Sequence, residues 1–149
     1  MAHLTESEIR ELGQAHLGRL LLQALRAVQA GSVQRLGERG HDQVRTGHIP
    51  VFGQLGGGPL RITDLAARAG MTRQMMGRLV RELQDAGYVD STADPADQRA
   101  IIVALTERGW QFCHDAQDVM QEMESEYDQL LGPGELARLR TALTVLATS

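Results

Sequence analysis

Residues 62–109 read ITDLAARAGMTRQMMGRLVRELQDAGYVDSTADPADQRAIIVALTERG, and the succession of patterns in them decides the fold. Thr63 can cap a helix start by accepting a backbone N–H, and Leu65, Ala66 and Ala69 follow before Gly70 stops the helix. Thr72 caps a second helix in the same way. The inward face of that helix is Met76, Leu79, Val80 and Leu83, spaced i, i+3, i+4, i+7, and Gly87 ends it. Two short helices joined by a glycine-containing turn form a helix-turn-helix. Residues 88–91 then read as a strand and 92–99 as a polar loop around Asp94-Pro95. Residues 100–105 read as a returning strand rich in β-branched side chains. A helix-turn-helix followed by a β-hairpin is a winged helix. The expected class is therefore mainly α, with a two-stranded wing over 88–105.

Working outward, residues 6–30 predict one long amphipathic helix. Ile9, Leu12, His16, Leu17, Leu20, Leu21, Ala24, Ala27 and Val28 recur at three- and four-residue steps, with an interruption at Gly31. Thr5 and Glu8 have capping-box spacing. Residues 42–55 predict a short helix that starts or bends at Pro50 and ends at Gly56-Gly57-Gly58-Pro59. Thr106 can cap a last long helix over about 107–131. Its Trp110, Cys113, Gln117, Met120, Met123, Tyr127 and Leu130 repeat as a heptad-like seam, and its Asp115, Asp118, Glu122, Glu124, Glu126 and Asp128 read as a solvated acidic face. After Gly132-Pro133-Gly134, a short amphipathic helix carries Leu136, Leu139, Ala142, Leu143 and Leu146.

Composition narrows the function. The 149 residues are 42% apolar and 23% charged, the profile of an ordinary globular protein. Aromatics at 3% argue against a base-stacking or sugar-binding platform. The single cysteine, Cys113, excludes an intramolecular disulfide framework and a cysteine-based zinc finger, and fits a reducing cytosol. The first thirteen residues carry three glutamates and no apolar run, so no secretory leader is expected. No apolar stretch is long enough to span a membrane. The net charge of −4 comes from 15 arginines, no lysine and 19 acids. Residues 59–99 are neutral overall, and 71–81 carry Arg73, Arg78 and Arg81 with no acid. A short basic stripe inside an acidic protein suits contacts that depend on shape and specific groups more than bulk attraction to phosphate.

The outward face of the second motif helix carries Arg73, Gln74, Gly77, Arg78 and Arg81, with Met75 beside them. Arginine pairs bidentately with guanine, glutamine with adenine, in a major groove. Arg73 and Gln74, nearest the helix start, are best placed for bases, while Thr72 and the first amides can hold a phosphate. Arg78 and Arg81 lie farther along, at phosphate positions. Gly77 leaves room for close backbone approach, at a helix cost of about 1 kcal/mol relative to alanine. As a bare charge pattern, the same face also reads as solvated arginines.

Residues 62–109 resemble the multiple antibiotic resistance regulator (MarR) family of winged-helix transcription factors. The most specific part is DPADQRAIIVALTERG, with Asp97-Gln98-Arg99, a hydrophobic strand and the Leu105-Thr106 step into the next helix. The resemblance implies a homodimer whose terminal helices interlock and whose two lobes read a palindromic operator in double-stranded DNA. It implies that Arg99 enters the minor groove, held by Asp97. A surface Asp–Arg pair with no such role is the alternative. It also implies a division into a dimerisation helix (1–40), a DNA-binding lobe (41–105) and C-terminal dimerisation helices (106–149). Some members of the family bind small aromatic or anionic effectors near the second helical region, which makes His16, Arg45, His48 and Phe52 candidates for such a pocket.

His3, His16, His41, His48 and His114 show no metal-ligand spacing, and neither a metal nor a cofactor is implied. No nucleophile elbow, phosphate loop or paired catalytic carboxylates are present, so no enzyme is predicted. Cys113 beside Trp110 reads as a buried structural thiol. Two functions compete: a dimeric repressor, and a winged helix used only to bind protein.

Overall fold

The structure is a computed structural model, and it describes residues 3–149. Its helices are α1 (Glu6–Ala15), α2 (Leu17–Leu36), α3 (Ile49–Leu55), α4 (Ile62–Arg68), α5 (Arg73–Asp85), α6 (Glu107–Leu131) and α7 (Glu135–Thr148). Its strands are β1 (Leu60–Arg61), β2 (Val89–Asp94) and β3 (Asp97–Leu105), in the antiparallel order β1-β3-β2. The winged helix expected from the sequence is present, with α4 and α5 as the helix pair and β2–β3 as the wing.

Several boundaries differ from the sequence reading, each for a local reason. The first long helix is two: His16 has extended backbone (ψ 135°) and serves as the C-cap of α1 and N-cap of α2. The Thr5–Glu8 capping box is formed. Gly31 does not interrupt α2. Its missing side chain lets α6 come close: a Cβ there would lie 3.0 Å from the Met123 methyl carbon. Pro50 stands in the first turn of α3, where its lost N–H costs nothing, preceded by a 3₁₀ turn over Thr46–His48. Thr63 is not a cap, because α4 starts at Ile62 with Arg61 ahead of it. Thr72 and Thr106 do cap, accepting from Met75 N at 3.1 Å and Gly109 N at 3.1 Å.

The polar loop expected over 92–99 is mostly strand. Asp94 pairs with Asp97 after a shift of register beyond Ala93, leaving Pro95 and Ala96 as the turn. Pairing rather than polarity decides a strand, so a polar run can still be one. The sheet also gains β1, two residues too short to register as a pattern, paired Leu60 to Val103 and Arg61 to Ile102.

The core joins the lobe to the long helices. Phe52, Tyr88 and Phe112, three of the five aromatic residues, pack together with His41. Phe52 stacks on Phe112 at 4.0 Å between centroids, and Tyr88 meets both edge-on. His41 arrives there because α2 ends in a π turn over Gly37–His41, in which Gly40 adopts φ 97°, a conformation glycine alone adopts without strain. Its ring nitrogens lie 2.8 Å from the Tyr88 hydroxyl and 2.8 Å from Asp115 Oδ2. The carboxylate can only accept, so Nε2 donates to it, and in that tautomer Nδ1 accepts a hydrogen bond from the Tyr88 hydroxyl.

The acidic face of α6 is not simply solvated. Asp115 holds His41, Glu122 and Asp118 face Arg39, Glu126 holds Arg35 through two contacts, and Glu124 reaches Arg140 of α7. These ions lace α2, the π turn and α7 to α6. The heptad-like seam is also only partly inward. Of its residues Met123 is buried while Trp110, Gln117 and Leu130 are exposed, and the buried Phe112 and Val119 lie outside it. Cys113 is half-buried, and burial pushes its thiol up, away from the reactive thiolate.

Neither α1 nor α7 buries a residue. Ile9, Leu12, Leu17, Leu20 and Leu25, with Leu139, Val145 and Leu146, stay exposed in the single chain.

Gly109 gives the most direct test of this packing. A Cβ there would lie 2.2 Å from the Tyr88 carbonyl oxygen and about as close as 3.1 Å to Leu105. Backbone cannot yield as a flexible side chain does, so Gly109→Ala is expected to cost about 3 kcal/mol or more in urea unfolding. Gly53→Ala, an exposed α3 position with nothing within 4 Å, is expected to be neutral or stabilising by up to about 1 kcal/mol.

Candidate nucleic-acid interface

The arginine-rich face expected from the sequence is built by α5. Met76, Leu79, Val80 and Leu83 are buried, which turns Arg73, Gln74, Arg78 and Arg81 outward on the opposite side. Thr72, Gln74, Met75, Arg78 and Arg81 line a shallow concavity of about 320 Å³ on that side. Met75 is 54% exposed, a large apolar group at the surface among arginines. Gly77 is half-buried, and the Arg81 guanidinium folds back towards it, 3.6 Å from where a Cβ would stand. Among the described residues, Arg73, Arg81 and Arg99 enter no ion pair, so their charge is available to a ligand.

The wing is fixed at both ends. At its base, Thr106 N donates to Tyr88 O at 3.0 Å and its hydroxyl donates to Gly87 O at 2.6 Å. At its tip, Asp94 is 7% exposed and accepts from the Ala96 amide at 2.9 Å. Arg61 reaches across β3 from β1 to donate to the other Asp94 oxygen at 2.8 Å. The Ala96 amide, and then Arg61, hold the Asp94 carboxyl below its ordinary range. Asp97 does not grip the Arg99 guanidinium. Its Oδ1 accepts from the Arg99 backbone amide at 3.0 Å, which closes the turn and leaves the Arg99 side chain exposed.

Glu82, on the last turns of α5, is the hub that sequence reading missed. His48 Nε2 lies 2.7 Å from Glu82 Oε2, which also takes the Arg45 guanidinium, while Arg78 Nε lies 3.2 Å from Oε1. His48 is 2% exposed. Its Nδ1 accepts from the Arg45 amide at 3.0 Å, which fixes the remaining proton on Nε2, aimed at Glu82. The His48 hydrogen bond first, then those of Arg45 and Arg78, push the Glu82 carboxyl down to about 2. The Arg78–Glu82 spacing of four was legible on a helix. The His48–Glu82 pairing, 34 residues apart, was not.

The four residues considered for an effector pocket have separate settings. Phe52 is buried in the aromatic cluster, His48 and Arg45 are committed to Glu82, and His16 is exposed at the α1–α2 break. Among the described residues no cluster of His, Cys, Asp and Glu could hold a metal ion, and no helix is long and apolar enough to cross a membrane.

The fold and this face define a winged-helix protein whose second motif helix presents an arginine-rich outward face. Residues 44–100 match the sequence model of the MarR family. Among solved structures, the transcriptional regulator PA4135 is similar over 89% of this chain and 96% of its own, at 26% identity and a TM-score of 0.70. The E. coli MarR protein in its apo form is similar over 88% and 96%, at 20% identity and a TM-score of 0.74. The transcriptional repressor CouR, solved on a 23-mer DNA duplex, is similar over 98% and 99%, at 23% identity and a TM-score of 0.74. No curated protein matches the sequence. The match to the MarR family covers residues 44–100 of the 149, and the solved structures share the winged-helix fold over most of the chain.

Glu82 makes stability depend on acid. Its folded value of about 2 lies below its ordinary 4.5, so its stabilising bonds are fully present above 4.5 and are lost as pH falls towards 2. Urea unfolding of the native chain and Glu82→Gln should therefore show a constant difference above about pH 5 that shrinks through that window. A difference independent of pH down to the acid limit contradicts this origin.

Proposed function

We propose that this chain is a non-enzymatic, cytoplasmic regulator that binds double-stranded DNA as a homodimer and represses from a palindromic operator. The observation that carries the reading is the outward face of α5, where Arg73, Gln74, Arg78 and Arg81 stand opposite a buried apolar face, Arg73 and Arg81 in no ion pair and Arg78 held by Glu82 alone. Such a helix fits a major groove, with Arg73 and Gln74 at base edges, Thr72 and the first amides on a phosphate, and Gly77 allowing close approach. Arg78 and Arg81 fall at the phosphate backbone. Arg99, on the hairpin closed by Asp97, extends into the neighbouring minor groove, where a narrow A·T-rich stretch concentrates negative potential. The exposed apolar faces of α1, α2 and α7 supply the dimer contact, since a monomer leaves them in water. Symmetric pairing of two lobes is what makes the preferred site a palindrome.

Selection of duplexes from a random pool tests the reading. The expected winner is a palindrome with half-sites about one helical turn apart and A·T-rich flanks. Arg73→Ala is expected to cost about 1–3 kcal/mol and relax preference at one position per half-site, and Arg99→Ala to weaken the flank preference. Sedimentation should give a dimer. If no duplex is enriched and neither variant changes anything, the winged helix serves protein contacts instead.

A further inference from the structure

Resting on the reading of α5 as a DNA-recognition helix, we propose that Arg45 and Arg78 form a second phosphate-binding site on the DNA backbone, with Glu82 as the positioning residue that holds the two guanidiniums side by side. Arg45 lies outside the helix-turn-helix, just ahead of the 3₁₀ turn that leads into α3. Its side chain is 63% exposed, that of Arg78 is 73%, and both converge on one carboxylate. Each arginine gives Glu82 one nitrogen, Nη2 from Arg45 and Nε from Arg78. A guanidinium has five N–H donors, so most of both forks remain for a phosphate, which they match bidentately.

Charge points the same way. Two cations face one anion, so the cluster keeps a positive surplus at the surface. Ion pairing for stability alone gives little reason to expose two arginines on one acid, since such pairs contribute little in water. The acid also has a buried anchor: His48, held in one tautomer by the Arg45 amide, grips Glu82 from beneath. Glu82 therefore cannot swing outward to oppose DNA. Instead it pins the head of Arg78 and the segment carrying Arg45 to one spot. Arg78 also lines the concavity of the recognition face, which makes the site continuous with that face.

The test uses the full chain, the duplex recovered by selection, and a scrambled duplex of equal length, with binding measured at several salt concentrations. Arg45→Gln should weaken binding to both duplexes by about three- to tenfold and reduce the salt slope by about 1, leaving the selectivity ratio unchanged. Glu82→Gln separates positioning from simple charge by sign. Loss of a negative group beside DNA should tighten binding if charge alone acts, whereas loss of the clamp weakens it. Circular dichroism of Glu82→Gln confirms its fold, and should it unfold, the exposed Arg45→Gln decides the matter. An unchanged salt slope in Arg45→Gln, or tighter binding by folded Glu82→Gln, overturns the clamp. If Arg73→Ala still relaxes selectivity in that case, the recognition reading stands. If the native chain selects no duplex, both fall.

Discussion

Tyr88 is the residue on which the molecule turns, because it is the point where the wing, the lobe and the long helices meet. It is fully buried, its ring lies against Phe52 and Phe112, and the Arg108 guanidinium sits 4.4 Å above its face. Burial raises its phenol above the ordinary range, with the Arg108 charge opposing, so the hydroxyl keeps its proton for His41. The chain on either side is held as tightly. Its carbonyl accepts the Thr106 amide and lies against Gly109. A buried polar group is costly unless paired, and here the hydroxyl, imidazole and Asp115 carboxylate satisfy one another.

This arrangement has a functional consequence. The base of β2 and the start of α6 share one set of bonds, and His41 brings the end of α2 into it. The angle between the lobe and the helices of the body is thus set by a packed polar and aromatic joint. In the proposed dimer, two lobes reach two half-sites only if that angle is held. The ion pairs between α6 and Arg35 and Arg39 continue the joint along the helix surface. Individually they are exposed and weak, but together they set which faces of α2 and α6 meet.

The proposed DNA surface repeats the same economy on a smaller scale. Asp94, Asp97 and Glu82 are acids close to a surface meant for an anion, a placement that net charge alone disfavours. Each is consumed in positioning: Asp94 ties β1 to the wing turn, Asp97 closes the turn beneath Arg99, and Glu82 gathers His48, Arg45 and Arg78. The acids orient the arginines and leave them facing outward. This explains how a segment with no net charge can present a basic face.

Legible in the sequence were the order of the helix-turn-helix, wing and following long helix, the inward face of α5, the caps at Thr72 and Thr106, and the outward arginines. All of these depend on spacing within one element, where helical and strand periods act on neighbours. The sequence reading misplaced features that depend on partners distant in the chain. Asp115 and Glu126 looked solvated because their partners, His41 and Arg35, lie more than seventy residues away. Residues 92–94 looked like loop because their pairing partner was β3 rather than their own composition. The family resemblance groups Arg45, His48 and Phe52, with His16, as candidates for one effector pocket. Packing instead put Phe52 in the core and Arg45 and His48 on Glu82. Periodicity is a local constraint and survives in a string of residues. Charge pairing, burial and the approach of Gly31 to Met123 depend on three-dimensional distance, and only the tertiary structure decides them.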